Sequence, residues 1–177
     1  PAVIAGPIVR RVSENACHIW LVTQDTPSIT LSLSQQQNTI TGQTQCEYVQ
    51  VGTHAFITLL SFSSEEAFIS GCPVHYALHF HDEALQAKWQ KECQALLYPR
   101  QQHLNFVYTK TPTTILHGSC RKPHYDGSDA LAQVDNLIAN SFDNEKERPD
   151  LLLMTGDQIY ADDVAGPMLQ AIHQVIV

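Results

Sequence analysis

Three residues in the C-terminal half of this 177-residue chain carry side chains that bind metal ions: Cys120 in "TTILHGSCRKPHYDG", and Asp157 and Tyr160 in "DLLLMTGDQIYADD". Each stretch runs from apolar residues through glycine into polar ones. If "TTILHG" and "LLLM" are neighbouring parallel strands, Cys120 and Asp157 end side by side, because functional groups of parallel α/β sheets gather at the carboxyl ends of the strands. A carboxylate there can bridge two cations. A phenol three residues later can reach the same ion from the next turn, and a thiolate adds a soft, strongly donating ligand. The set suits a hard, redox-capable ion such as Fe(III) better than Mg²⁺, which takes oxygen and water alone. Binding would deprotonate both the thiol and the phenol.

Taken singly, each residue has a plainer reading. An Asp after Gly is usually a turn acid, a lone Tyr usually packs, and a lone Cys is usually a small buried hydrophobe. Asp162 and Asp163 precede a helix start, where dipole and capping roles are expected. The stretch "RKPHYDG" (121–127) reads as a solvated loop. His75, His79 and His81 alternate with apolar residues, which marks a solvent face of a strand rather than a metal site.

The elements that must position these residues form a βαβ pattern from Thr113 onward. "TTILHG" reads as a buried strand and "GSDALAQVDNLIANSF" as a helix. Leu131, Val134, Leu137, Ile138 and Phe142 line one face of that helix, with Ser128 as its N-cap. "LLLM" is a continuous apolar run, as expected of a strand covered on both faces. Gly166-Pro167 opens a further helix. Strand, helix, strand makes the two strands parallel.

From Gly6 to His81 the pattern differs. Six or so short strands with regular turns imply an antiparallel β-sandwich. "SITLSLS" places Ile29, Leu31 and Leu33 on one face, and "VHYALHFH" does the same with Val74, Tyr76, Leu78 and Phe80. Trp20 sits only three residues after Cys17, so a fibronectin-III-like sandwich fits better than an immunoglobulin domain. "EALQAKWQKECQALL" reads as a helix ended by Pro99, and 100–112 as a connector. The expected organisation is a sandwich over 1–81, a helical connector over 82–112 and the start of an α/β domain over 113–177.

Composition narrows the classes. A formal charge of -8, with 44% hydrophobic and 16% charged residues, is ordinary for a globular domain and argues against a nucleic-acid partner. It leaves room for small anionic substrates, since bound cations invert the local field. No apolar run reaches the length of a membrane span. Five cysteines, an odd number without a C-x-x-C pair, favour reduced thiols and a cytoplasmic over a periplasmic location. The apolar, uncapped end "MLQAIHQVIV" leads to the expectation that the chain is a fragment, whose open sheet edge and apolar tail would drive a truncation-dependent dimer.

"GDQIY" resembles the G-D-x-x-Y block of the metallophosphoesterase superfamily. "GSC" at the preceding strand end resembles the alkaline phosphatase D (PhoD-like) branch, where a Cys stands in place of an Asp. The leading sandwich is similar to that branch's N-terminal domain. The resemblance implies a two-metal phosphoesterase with Fe(III) and Ca²⁺, acting on a small-molecule phosphomonoester or phosphodiester. Asp157 would bridge the metals, and Cys120 and Tyr160 would bind iron. From their position alone, Arg121 or Lys122 is expected to balance charge on the equatorial phosphoryl oxygens in that mechanism, and His124 to protonate the leaving group. The family's later metal-ligand blocks have no counterpart in this sequence, so the chain alone is expected to be inactive. The competing expectation is a β-sandwich binding module that recognises a protein or a carbohydrate.

Overall fold

The computed structural model describes every residue except 123, 124, 142, 143, 145 and 146. His124, the expected proton donor, and Phe142, the expected helix-face residue, therefore lie outside the described residues. The chain forms two compact units, one of 1–108 with 175–177 and one of 109–174.

The first unit is built from antiparallel sheets. Strands β1 (Ala5–Val12), β2 (Ala16–Thr23), β6 (Ala55–Ser64) and β5 (Gly42–Gly52) form one sheet in the order β1-β2-β6-β5. Strands β4 (Asn38–Ile40), β3 (Ile29–Gln35), β7 (Pro73–Phe80) and β8 (Leu104–Val107) form the other, in the order β4-β3-β7-β8. Alternate residues of both sheets meet in one core: Cys17, Ile19 and Leu21 from β2, Leu60 and Phe62 from β6, Ile29, Leu31 and Leu33 from β3, and Val74 to Phe80 at every second position of β7. In β3 and β7 the two-residue period turns the apolar set inward and leaves the alternate set more exposed. Gln35 is one of the buried polar side chains of this unit, with Thr23, Thr58 and Ser64. Its amide donates to the carbonyls of Ile69 and Cys72 at 2.9 Å, and its Oε1 accepts from the Ile69 amide at 2.8 Å, so its burial leaves no group unpaired. All five cysteines are free thiols.

Most of the span expected to be a connector, 82–108 of 82–112, is part of this unit. Helix α1 (Glu83–Gln94) is capped by Asp82, whose Oδ1 accepts from the Leu85 amide at 2.8 Å. It places Trp89, 4% exposed, against Phe80 with ring centroids 6.2 Å apart. The Glu92 carboxylate accepts from the amides of Ala2 and Val3 at 3.0–3.2 Å and ties down the N-terminal segment. Strand β8 pairs with β7 and buries Leu104 and Phe106. Four residues show only two alternations, too few for periodicity to separate a strand from a loop.

The second unit holds β9 (Ile115–Gly118), α2 (Ala130–Asn140), β10 (Leu151–Met154) and all but the last two residues of α3 (Gly166–Ile176). β9 and β10 are parallel, in register from Leu151 opposite Ile115 to Met154 opposite Gly118. Asp150 closes the start of the pair. Its carboxylate accepts from the amides of Thr113 and Thr114 and from the hydroxyls of Thr109 and Thr113, and these bonds hold it below the usual carboxylate range. Two expectations are corrected. The N-cap of α2 is Asp129, not Ser128. "LLLM" is not covered on both faces, since Leu151, Leu152 and Leu153 stay 39–43% exposed. A two-stranded sheet in a unit of this size lacks the helical layers that would cover both sides. Among the described residues, no helix is long and apolar enough to cross a membrane.

Candidate functional site

The β9–β10 ladder continues beyond the strands. The Thr155 amide donates to the Gly118 carbonyl at 3.0 Å, and the Cys120 amide donates to the Gly156 carbonyl at 2.9 Å. Parallel register therefore carries Ser119-Cys120 alongside Gly156-Asp157. Ser119 Oγ donates to the Gly156 carbonyl at 3.3 Å and lies 3.4 Å from Cys120 Sγ. Cys120 Sγ lies 3.9 Å from Asp157 Oδ2.

Both loops turn through unusual backbone. Cys120 has φ +56° and Asp157 φ +46°, left-handed values that are uncommon for residues with a Cβ. Gly156 between the two arms has φ +157°, which L residues rarely adopt. Strain of this kind collects where surrounding structure holds side chains in a set position.

Tyr160 joins the pair. Its phenol is held above the usual tyrosine range, first by a hydrogen bond with Cys120, then by desolvation and by the charges of Cys120, Asp157 and Asp162. The three residues singled out in the sequence thus meet at one strand edge.

The neighbouring charges serve mainly to hold these loops. Lys122 forms an ion pair with Asp163 and sits 5.6 Å from the Tyr125 ring centroid. The Asp163 amide in turn donates to the Tyr160 carbonyl at 3.1 Å. Asp163, expected to serve the next helix, instead joins the loop of Tyr160 to the loop of Cys120. Arg121 forks onto Asp129, with Nη2 to Oδ2 at 2.6 Å and Nε to Oδ1 at 3.3 Å. Asp129 Oδ1 also accepts from the Leu131 amide at 3.0 Å. Their hydrogen bond is the main cause that pushes Arg121 up and Asp129 down from their ordinary values. Arg121 therefore anchors the start of α2.

Three residues near the strand ends escaped sequence reading. Asp129 was masked by Ser128 beside it, and both are common N-caps. The His117 ring Nε2 lies 2.6 Å from Thr155 Oγ1, a pairing that depends on strand register. Gln158, between Asp157 and Tyr160, donates to the Gly156 carbonyl while its Oε1 is buried without a partner.

The distance between two of these donors is compatible with a shared metal ion. Two donors that share an ion lie no further apart than their two bond lengths combined, roughly 4.4 Å for a thiolate and a carboxylate, and Cys120 and Asp157 meet that limit. The orphaned Gln158 oxygen supplies an acceptor for a further polar group in the same turn. Among the described residues no group of three or more His, Cys, Asp or Glu side chains is placed to hold a metal, and Ca²⁺ takes six to eight oxygen ligands.

The histidines in and just after β7 behave otherwise. His79 and His81 are exposed and lie beside the hydroxyls of Ser32 and Thr30. His75 stacks edge-on against His103 at 5.7 Å, and burial followed by the His103 charge lowers its pKa.

An open cavity of about 340 Å³ lies between the β9–β10 sheet and the start of α2, and Cys120 is one of its lining residues. No family model, curated protein or solved structure matches the chain.

Proposed function

We propose that this chain carries part of the active site of a metal-dependent phosphoester hydrolase of the PhoD-like kind, preceded by a fibronectin-III-like sandwich. One observation carries the reading: Cys120, Asp157 and Tyr160 meet at the carboxyl ends of two parallel strands, with Cys120 Sγ 3.9 Å from Asp157 Oδ2. When bound, an iron–calcium pair would supply Lewis acidity and a hydroxide nucleophile near neutral pH. Cys120, Tyr160 and Asp157 would hold the metal ions, with Cys120 and Tyr160 giving up their protons to do so. The missing calcium ligands would come from residues beyond these three, so the chain alone is proposed to be inactive. Lys122 keeps the two loops together, and Arg121 keeps α2 in place beside them. The substrate is a small phosphomonoester or phosphodiester. Five free thiols fit a reducing compartment, the cytoplasm.

The test uses p-nitrophenyl phosphate and bis(p-nitrophenyl) phosphate with added Fe(III) and Ca²⁺, on this chain and on any longer protein that contains it. Hydrolysis by the longer protein should fall by about a hundredfold or more in Asp157→Asn, since the carboxylate would hold the metal ions that stabilise charge developing in the transition state. Bound iron should show a phenolate-to-metal absorption band in the visible that Tyr160→Phe removes. Unchanged activity in Asp157→Asn, or no retained metal and no hydrolysis, would return Asp157 to a turn role and favour the binding-module alternative.

A further inference from the structure

Resting on that hydrolase reading, we infer that the cavity beside Cys120 receives the organic group of the ester, and that this group is a flat apolar ring, making the substrate an aryl phosphoester. The cavity and the cluster share Cys120, the thiol that lies 3.9 Å from Asp157. A phosphoryl group held at the cluster therefore has this cavity next to it.

The walls fix the chemistry. Leu116 and Gly118 of β9 pair with Leu152 and Met154 of β10, so the four share one sheet face at the two-residue period. From α2, Leu131 and Val134 stand three residues apart on one helix face and close the other side. Gly118 matters sterically: a Cβ there would sit 3.1 Å from Met154 Sδ, so glycine leaves Met154 its place in the wall. Ser128 also lines the cavity, but the cavity's charged and ring polar groups are already engaged. Arg121 is bonded to Asp129, Lys122 to Asp163, and the His117 ring lies at the Thr155 hydroxyl. A sugar or a second phosphate would have to break these pairs, whereas an apolar ring would not.

Size sets the upper bound. An apolar cavity of roughly 150 Å³ holds one benzene ring. A cavity of about 340 Å³ has room for a fused two-ring group.

The experiment compares 1-naphthyl phosphate with glycerol phosphate as substrates of the longest protein that contains this chain. It uses the wild type, Val134→Phe and, in case that variant does not fold, Leu131→Phe. Circular dichroism establishes that each variant is folded. Filling the cavity is expected to raise KM for 1-naphthyl phosphate about tenfold and leave kcat/KM for glycerol phosphate within twofold. Equal losses on both substrates, or no loss on either, would overturn the proposal. Saturation-transfer NMR with 1-naphthyl phosphate separates this outcome from failure of the hydrolase reading. If the wild type hydrolyses neither ester but transfers magnetisation to the naphthyl protons, and the filled variants do not, the cavity binds aryl groups and only the hydrolase reading falls. If the wild type shows no transfer, the cavity proposal falls.

Discussion

At the scale of single residues, burial and strain mark different places. Cys120 and Asp157 lie on exposed loop backbone in left-handed conformations, whereas Cys17 is fully buried in the sandwich core. Burial pushes the Cys17 thiol from 9.0 to about 12. The sign of its effect on stability follows from linkage. Above pH 9 the unfolded chain releases this proton while the folded chain keeps it. The contribution is thus whole below pH 9 and is lost as pH rises toward 12, a loss on the order of 4 kcal/mol. Urea unfolding followed from neutral pH to the alkaline side of 9 should show falling stability of the first unit. Cys17→Ala, although less stable at neutral pH, should flatten that fall. An unchanged slope would show that other groups, such as the buried Tyr76 phenol, carry it.

At the scale of elements, the start of α2 is the informative place. Asp129 caps the helix by accepting from Leu131 and also takes the Arg121 fork. Asp129→Ala removes both interactions and should destabilise the second unit by about 1–2 kcal/mol, in the range of a lost helix cap. Ser128→Ala should cost less than about 0.5 kcal/mol, as surface changes away from such features do. Thermal unfolding monitored by helical circular dichroism distinguishes the two, and equal costs would restore Ser128 as the cap. Read along the chain, both residues are good N-caps one position apart. The choice fell to Asp129 because only its carboxylate also meets a guanidinium that arrives from the end of β9.

At the scale of the whole molecule, the boundary lies later than the sequence pattern implies. A chain ending at His81 would lack α1 and β8, and with them Trp89, Leu104 and Phe106, which belong to the core. Removing Trp89 alone, as Trp89→Ala, should cost about 3–5 kcal/mol. A chain ending at Tyr108 is expected to fold with a cooperative urea transition and a sheet-type circular dichroism spectrum. A chain ending at His81 should aggregate or lack that transition. If the shorter chain folds equally well, α1 and β8 contribute only to the surface.

Much of this was legible in the sequence. The two-residue period of β3 and β7 predicted their buried faces, because alternation projects onto a sheet face without knowledge of any partner. The βαβ order predicted that Cys120 and Asp157 would meet, because parallel strands leave one edge where both chain turns lie. The Tyr160 phenol, three residues on, was within reach by spacing alone. What stayed hidden depends on contacts between residues distant in sequence. The pairing of β8 with β7 rests on a four-residue strand too short to carry a period. The engagement of Arg121 by Asp129 and of Lys122 by Asp163 depends on which loop each side chain meets. The exposure of Leu151 to Leu153 depends on how many layers the second unit can supply. Local pattern determines which face a residue takes, and only tertiary packing determines what that face meets.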